Sequence, residues 1–261
     1  MNAVSRSLRP RNSVVLIVSK FAVILPAAGQ SSRFRDKHYK KPFAPLAGKP
    51  VWLYSAERFL ARDDVKQVLI VISPEDREEF NQKFAANVMI LGIDVVAGGA
   101  ERADSIQNAL ARVKPEIDFI AVHDAARPCL ADEWITRVFE AAEKHEAAIL
   151  GVPVASTLKR VVNGKIEETV PRANLWEAQT PQVFRRQLLL DAYAKRDGFV
   201  ATDDAQLVER IGVAVTVVQG SPINLKITTQ EDLRLAEQSL KAMPKPKSLG
   251  VNPFSGDDMW R

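Results

Sequence analysis

Short apolar runs rich in valine and isoleucine alternate along the chain with stretches in which apolar residues recur at helical spacing. The runs, which predict buried strands, are residues 21–25, 68–72, 93–97, 119–122, 148–154 and 213–218. The predicted helices are residues 51–60, 74–84, 103–113, 132–143 and 186–194. Because strands that alternate with helices form parallel sheets with both faces covered, we predict an α/β protein with a mostly parallel sheet flanked by helices.

The carboxyl ends of the predicted strands are where a ligand site is expected. In open α/β sheets, ligands bind in the crevice at those ends. The loops that follow Leu25, Ala97 and Val122 should therefore meet at one edge of the sheet and carry the chemistry of the chain.

Residues 157–170 break the alternation, since β-branched residues flank an Asn163-Gly164 pair. This pattern predicts a β-hairpin with a type I′ turn. A two-stranded hairpin is marginally stable alone, so one that projects from an α/β core needs a second surface to pack on. We therefore expect a protruding arm, about residues 155–172, through which two copies form a homodimer. The alternative is an edge hairpin folded back on its own domain.

Charge and cysteine content indicate the class of partner and the compartment. The chain has 36 basic and 32 acidic residues spread along its length, unlike the clustered basic stripe of a nucleic-acid-binding protein. Phosphorylated metabolites, and not nucleic acid, are the expected anionic partners. Cys129 is the only cysteine, which excludes an intrachain disulfide and fits the reducing cytoplasm.

One folded domain, residues 20–242, is expected between two flexible tails, residues 1–19 and 243–261. The apolar run at residues 14–25 is interrupted by Ser19 and Lys20 and is shorter than the roughly 20 residues of a membrane span, so no membrane anchor is expected. A secretory signal stays open as an alternative, because three arginines precede this run.

The first predicted strand leads into a loop of small residues, Pro26-Ala27-Ala28-Gly29-Gln30-Ser31-Ser32-Arg33, and a basic stretch then extends to Lys41. Small residues let backbone amides approach phosphate oxygens or a base, and Arg33 and Lys41 can neutralise a triphosphate. The loop has neither the Rossmann nor the Walker glycine pattern. A tight turn with solvated charges is the alternative.

The Ala-Ala-Gly-x-x-x-Arg loop with its following lysine resembles the nucleotide-binding signature of the sugar-nucleotidyltransferase superfamily. Four later segments make the resemblance specific: Gly-Gly-Ala-Glu-Arg-Ala-Asp-Ser at 98–105, Val-His-Asp-Ala-Ala-Arg-Pro at 122–128, Ala-Gln-Thr-Pro-Gln-Val-Phe at 178–184 and Asn-Leu-Lys-Ile-Thr at 224–228. In this order they resemble the 2-C-methyl-D-erythritol 4-phosphate cytidylyltransferase family over roughly residues 20–241. The resemblance implies a Rossmann-like fold of the GT-A nucleotidyltransferase type. It also implies cytidylyl transfer from CTP to methylerythritol phosphate, with release of pyrophosphate, in the non-mevalonate isoprenoid pathway.

The resemblance implies site residues wherever the motifs match. Those implied for CTP are Ala27, Ala28, Gly29, Gly98, Gly99, Arg102, Ser105 and Asp124. Those implied for methylerythritol phosphate are Arg127, Thr157, Arg172, Thr180, Thr202 and Lys226, with Thr157 and Arg172 reaching across the dimer. The implied catalytic cations are Arg33, Lys41 and Lys226. Ser105 is also expected to help cap the helix that follows the two glycines.

The implied chemistry needs neither a general base nor a covalent intermediate. A phosphate monoester is already anionic at pH 7, so its oxygen can attack the α-phosphorus of CTP directly. The requirements are in-line positioning and charge neutralisation by Mg²⁺ and the three cations. We expect Mg²⁺ to be held mainly by the CTP phosphates. Asp124 can bind a ribose or substrate hydroxyl, or orient the Mg²⁺ through water. His123 is interpreted as a structural residue.

Two positions depart from the family pattern, which commonly has Gly at 31 and Gln at 42, where this chain has Ser31 and Pro42. Serine approaches a phosphate less freely than glycine, and proline lacks a backbone donor. One extra residue between Arg33 and Lys41 also makes Lys40 a competitor for the lysine role. Lys41 is preferred, because Lys-Pro-Phe aligns with the family's Lys-Gln-aromatic run.

Three alternative functions stay open. A ribitol-5-phosphate cytidylyltransferase would share the fold and the CTP loop. A catalytically silent nucleotide-binding homologue would account for Ser31 and Pro42, although a binder has no need of Lys41 and Lys226 at the α-phosphate. A dinucleotide-dependent oxidoreductase would fit the order of elements but requires a glycine fingerprint and an acidic ribose ligand that the sequence lacks.

Overall fold

The structure is a computed structural model that describes residues 18–29, 34 and 39–244. The predicted tails lie outside these residues except for two residues of each, and so do Ser31 and Arg33. The strands of the described part are β1 Phe21–Pro26, β2 Pro45–Leu46, β3 Lys49–Pro50, β4 Val65–Ile72, β5 Asp94–Ala97, β6 Phe119–Val122, β7 Ala147–Pro153, β8 Leu158–Val162, β9 Lys165–Val170, β10 Trp176–Arg185 and β11 Thr216–Gln219. Its α-helices are α1 Val51–Leu60, α2 Arg77–Leu91, α3 Arg102–Leu110, α4 Asp132–His145, α5 Arg186–Ala194, α6 Asp204–Arg210 and α7 Gln230–Lys241.

Seven strands form the central sheet in the order β11-β7-β10-β6-β1-β4-β5. Neighbouring strands are parallel except at β10, which is antiparallel to both β6 and β7. The carboxyl ends of the other six strands therefore lie at one edge of the sheet. This is the edge at which α/β proteins bind their ligands.

Helices cover both faces of the sheet, because successive side chains of a buried strand point to opposite sides. In β1, Val23 and Leu25 pack with residues of α1, α2 and α4, such as Trp52. Ala22 and Ile24 pack on the other face with residues of α3, α5 and α6. The predicted α/β class with a mostly parallel sheet is confirmed.

The predicted elements are present, with boundary shifts of up to seven residues, the largest at the end of α2. Each of the six predicted strands and five predicted helices overlaps an observed one, and the helix predicted at 51–60 coincides with α1. The short helix α6, helix α7, strand β10 and the two-residue strands β2 and β3 are not in the prediction. The missed strand has a physical explanation: Gln179, Thr180 and Gln182 are buried at its centre, so it lacks the apolar run by which a buried strand is usually recognised.

The predicted hairpin is formed by β8 and β9. Asn163 and Gly164 have φ of 51° and 76°, and two consecutive positive values are what a type I′ turn requires. The hairpin makes its own two-stranded sheet, separate from the central one. Val161, Val162 and Ile166 are 55%, 49% and 65% exposed, so the arm presents apolar side chains to its surroundings.

Among the described residues, no helix is both long enough and apolar enough to cross a membrane.

Candidate active site

The loop after β1 forms one wall of a cavity at the carboxyl edge of the sheet. Ala27 donates its backbone N–H to the carbonyl of Val71 at 2.9 Å, which holds the loop against β4. Gly98, directly after β5, packs on this loop so closely that a Cβ atom there would lie 2.7 Å from the Cβ atom of Ala28. A side chain at position 98 would therefore push the two loops apart.

The first turn of α3 forms the facing wall. A Cβ atom on Gly99 would lie 2.4 Å from the Cβ atom of Asp104, so this loop also needs glycine for its close approach. The expectation that Ser105 caps α3 is wrong. The helix begins at Arg102, and Glu101 and Asp104 form its capping box. Ser105 instead fixes the loop, because its hydroxyl accepts the backbone N–H of Gly99 at 3.0 Å.

Arg102 reaches the cavity from this turn and is held by Asp204 of α6. Its Nη1 and Nη2 donate to the two carboxylate oxygens of Asp204 at 3.2 and 2.5 Å. Burial alone would lower the pKa of Arg102, but the Asp204 carboxylate outweighs burial and raises that pKa above its usual value. The guanidinium is thus a fixed, permanently charged donor group in the cavity wall.

The two candidate lysines occupy different places. Lys41 lines the cavity. Lys40 is directed away from the cavity lining to the residue before α2, where its Nζ lies 2.8 Å from Oδ2 of Asp76. Pro42 lies in the first turn of the 3₁₀ helix Lys41–Phe43, where a backbone N–H is not needed for helical hydrogen bonds. Its missing donor therefore does not weaken the turn that carries Lys41.

Asp124 is the buried charge at the centre of the site. Its Oδ2 atom lies 2.9 Å from Nζ of Lys226 and 3.3 Å from Nε of Arg127. Burial alone would raise the pKa of the Asp124 carboxyl, but the positive charges of Lys226, Arg127 and Arg102 outweigh burial and hold that pKa well below its usual range. Asp124 is therefore an anion throughout the physiological pH range.

Two loop contacts position Lys226 and Arg127. Ile227 donates its backbone N–H to the carbonyl of Ala126 at 2.8 Å, which ties the segment before α7 to the loop after β6. Arg127 donates from Nη1 to the carbonyl of Asn224 at 2.7 Å. Arg127, in the loop after β6, thus bonds both to Asp124 and to the segment before α7.

Hydrogen bonds of Thr180 and His123 hold Asp124 and its loop in place. The hydroxyl of Thr180 accepts the backbone N–H of Asp124 at 3.0 Å and lies 3.1 Å from Nδ1 of His123. Nε2 of His123 lies 3.1 Å from the carbonyl of Arg127, which can only accept. A neutral ring therefore carries its proton on Nε2, and Thr180 donates its hydroxyl hydrogen to Nδ1. This fully buried ring has the structural place interpreted from the sequence.

The cavity has a volume of about 400 Å³ and gathers most of the residues implied for CTP. The implied residues that line it are Ala27, Ala28, Gly29, Lys41, Gly99, Arg102, Ser105, Asp124 and Lys226. Gly98 lies behind this lining, against Ala28. Arg33 lies outside the described residues.

A second cavity, of about 390 Å³, lies next to the first and shares Lys226 with it. Arg127 and Asn224 also line this cavity, together with backbone and side chains of β7 and β10. Four of the residues implied for methylerythritol phosphate line neither cavity. Thr180 is buried beneath Asp124, and Thr202 is exposed just before α6. Thr157 and Arg172 are exposed at the base of the arm. Arg172 donates to the carbonyl of Ala155.

The described residues contain no cluster of three or more His, Cys, Asp or Glu side chains that could hold a metal ion by itself. Glu101 and Asp124 are the carboxylates in the wall of the first cavity, and Asp124 is the one that contacts Lys226 and Arg127. Such a wall suits Mg²⁺, which is commonly held by one or two carboxylates together with substrate phosphates and water.

Sequence analysis did not identify the residues that hold the cavity-lining side chains and segments in place. Asp204 and Tyr193 lie in helices with no motif, and nothing in the sequence links either to Arg102. Asn224 was part of a recognised motif but had no assigned role. In the structure its Nδ2 donates to the carbonyl of Thr180 at 2.9 Å, which locks the segment before α7 onto β10.

Comparison with known families gives one consistent match. The family model described as 2-C-methyl-D-erythritol 4-phosphate cytidylyltransferase matches residues 21–242. Among relatives, the enzyme of that name from Rhodopirellula baltica is 44% identical over 230 residues, which cover 84% of this chain and 94% of the relative. The Bacillus velezensis enzyme of the same name is 40% identical over 226 residues, which cover 85% of this chain and 97% of the relative.

Solved structures agree with this match. The 2-C-methyl-D-erythritol 4-phosphate cytidylyltransferase of Thermus thermophilus superimposes with a TM-score of 0.71 at 32% identity, covering 85% of this chain and 99% of that one. The Francisella tularensis enzyme superimposes with a TM-score of 0.72 at 30% identity, covering 85% of this chain and 100% of that one.

The surroundings of His123 predict an unusual titration. Burial lowers the pKa of His123 to about 4, because water cannot solvate the charged ring. Below about pH 6.5 the unfolded chain binds a proton here that the folded chain does not bind until about pH 4, so His123 lowers the free energy of unfolding as the pH falls through this window. We expect NMR to show one of the three histidine rings still neutral at pH 5. The His38→Gln and His145→Gln variants assign the signals, and a His123 ring that titrates near its ordinary value contradicts the prediction.

Proposed function

The chain belongs to the 2-C-methyl-D-erythritol 4-phosphate cytidylyltransferase family, and from this membership we infer that it transfers the cytidylyl group of CTP to 2-C-methyl-D-erythritol 4-phosphate. The products are 4-diphosphocytidyl-2-C-methyl-D-erythritol and pyrophosphate. The chain is thus a nucleotidyltransferase of isoprenoid precursor synthesis. The ribitol and silent-binder alternatives find no support in the family model or in the named relatives.

The observation that carries this function is the pair of adjacent cavities joined at Lys226. Reaction between two phosphorylated molecules requires two anion sites in contact, with a cation at the boundary. The first cavity has small-residue loops suited to a nucleotide, and the second has Arg127 for a second phosphorylated compound. Lys226 lies where the two phosphate groups would meet.

The proposed reaction is a direct displacement at phosphorus. An oxygen of the methylerythritol phosphate forms a bond to the α-phosphorus of CTP, while the bond from that phosphorus to the oxygen bridging toward the β-phosphate breaks. Pyrophosphate leaves with the electron pair, so no general base is needed. In this proposal Lys41 neutralises the nucleotide phosphates, Lys226 neutralises the attacking phosphate, and Arg33 stays an expected third cation.

We propose Mg²⁺ as the metal ion, held mainly by the CTP phosphates, with Asp124 as its contact on the protein. Bound there, it would neutralise charge on the leaving pyrophosphate. The residues of this chain have the other tasks: Lys226 and Arg127 keep Asp124 ionised, and the loops after β1 and β5 orient the nucleotide.

A cytoplasmic homodimer is the proposed form of the enzyme. The exposed apolar side chains of the arm support dimerisation, since a second subunit could cover them. Dimerisation could also bring Thr157 and Arg172, which lie outside both cavities of their own subunit, to the partner's site. The single cysteine, Cys129, is buried, which is compatible with a reducing cytoplasm.

The function is tested by Mg²⁺-dependent pyrophosphate release from CTP, with 2-C-methyl-D-erythritol 4-phosphate and ribitol 5-phosphate offered separately. We expect turnover with the first compound only. Turnover with ribitol 5-phosphate alone, or with neither compound, contradicts the proposal. As a matched pair of variants, Lys226→Ala should lower kcat/KM on the order of 10²–10³-fold, whereas Lys159→Ala, on the arm, should have little effect.

The lysine assignment is tested by Lys41→Met and Lys40→Met in the same assay. We expect Lys41→Met to reduce kcat on the order of 10²–10³-fold, because a cation at the transferring phosphate is lost. Lys40→Met removes the ion pair with Asp76 and should change kcat less than about tenfold. Equal losses in the two variants, or a larger loss at Lys40, would reverse the assignment.

The role of the arm is tested by Ile166→Asp, which places a charge on its apolar surface. We expect sedimentation velocity to show a dimer for the wild-type chain and a monomer for this variant, with loss of activity because Arg172 no longer reaches the other subunit. Lys165→Gln, one residue before Ile166 in the regularly paired part of β9 and so on the opposite face, is the control and should stay dimeric. A monomeric wild-type enzyme with full activity would overturn the dimer proposal.

A further inference from the structure

We propose that Asp204 is a positioning residue for nucleotide binding, which acts by fixing the guanidinium of Arg102 in the wall of the CTP cavity. The inference rests on the proposed function, because it assumes that the first cavity binds CTP. It assigns a task to a residue that lies about one hundred positions away in sequence from the loop it controls.

The contact between the two side chains is bidentate. Nη1 and Nη2 of Arg102 each donate to a different carboxylate oxygen of Asp204, at 3.2 and 2.5 Å. Asp204 is fully buried, whereas the Arg102 side chain is 31% exposed. Such a pair fixes the plane of the guanidinium and uses two of its five N–H donors, so the other three lie outside the pair.

Asp204 is itself held rigidly. The hydroxyl of Tyr193 in α5 donates to its Oδ1 atom at 2.6 Å. Gln182 of β10 anchors its backbone, because Oε1 of Gln182 accepts the N–H groups of Asp204 and Ala205 at 3.1 and 3.0 Å. The carboxylate is therefore fixed to the sheet and to α5, and Arg102 is fixed in turn.

A second ion pair holds the same turn of α3. Nη2 of Arg196, just after α5, donates to Oδ1 of Asp104 at 2.5 Å. Asp104 is the residue against which Gly99 packs. Two contacts thus attach the nucleotide-facing turn of α3 to the region of α5 and α6.

The charge of Asp204 makes the inference testable by the sign of an effect. If Asp204 merely cancelled the charge of Arg102, its neutralisation would make the cavity more positive and strengthen the binding of a triphosphate. If Asp204 positions Arg102, its neutralisation frees the guanidinium and weakens binding, because the arginine must then be ordered by the nucleotide itself. The two roles therefore predict opposite changes in affinity.

The test is calorimetric titration of Asp204→Asn with CTP and Mg²⁺, together with steady-state kinetics. We expect the Kd and KM for CTP to rise about tenfold to a hundredfold, while the KM for 2-C-methyl-D-erythritol 4-phosphate changes less than about threefold. Unchanged or tighter CTP binding overturns the inference. Failure of the wild-type chain to bind CTP would instead overturn the proposed function.

Matched variants separate positioning from loss of stability. Asp64→Asn removes a similar bidentate pair, in which Arg62 donates from Nε and Nη2 at 3.0 and 2.6 Å, at the opposite edge of the sheet. It should lower the free energy of unfolding without changing the Kd for CTP, and a weakened Kd here would contradict the inference. Tyr193→Phe keeps the ion pair and should raise the Kd in the same direction as Asp204→Asn, but by less.

A double-variant cycle tests whether Asp204 acts through Arg102. If it does, adding Asp204→Asn to Arg102→Met causes no further loss of CTP affinity, whereas independent effects would add. Arg102→Met alone leaves a buried unpaired carboxylate and is the variant most at risk of misfolding. Should it fail to fold, Arg102→Lys replaces it, with the same expectation of non-additivity and the same contradiction if the effects add.

Discussion

The buried carboxylate of Asp124 is the constraint on which the site depends. An ionised group removed from water is costly unless opposite charge and hydrogen bonds replace its hydration. In this fold the compensation comes from Arg127, three residues on, and from Lys226, in the segment before α7. Thr180 of β10 accepts the backbone N–H of Asp124 itself. Loss of Arg127, Lys226 or Thr180 would leave charge or hydrogen-bonding capacity uncompensated. The contacts of Asp124 therefore join three distant parts of the chain at one edge of the sheet.

Hydrogen bonds of the same kind explain why a polar strand lies in the middle of the sheet. A buried strand normally gains its stability from apolar side chains, but Gln179, Thr180 and Gln182 gain theirs from hydrogen bonds. Gln182 binds the first turn of α6, and Nε2 of Gln179 donates to the carbonyl of Ser221 at 2.9 Å. Buried polar networks that are satisfied in this way rigidify a core and specify one arrangement. The antiparallel strand β10 therefore links the floor of the site to the segments that form its walls.

These interactions also mark the limit of what the sequence could predict. Periodicity located the apolar strands and most of the helices, because burial on a sheet leaves a local pattern. The Asn163-Gly164 turn was equally local. β10 was missed because its stability comes from side-chain partners that no local pattern reveals, and the cap of α3 was misplaced because Ser105 binds a loop amide instead. Most of the nucleotide-binding residues that the motifs implied lie together at one cavity. Asp204, which holds Arg102, lies outside every motif, and its role depends on a contact that only the folded chain creates.

The pairing of charges in the first cavity gives a physical reason to expect a metal ion with the nucleotide. Arg102 and Lys226 both line this cavity, and each is paired with a buried carboxylate, Asp204 and Asp124. Paired cations are well positioned donors, but their attraction for a distant anion is largely cancelled by their partners. A triphosphate brings several negative charges, and more develops on the leaving pyrophosphate. These two pairs hold a triphosphate by geometry more than by net charge. This is the physical argument for the divalent cation proposed above, because a cation bound to the phosphates would supply neutralisation that the pairs do not.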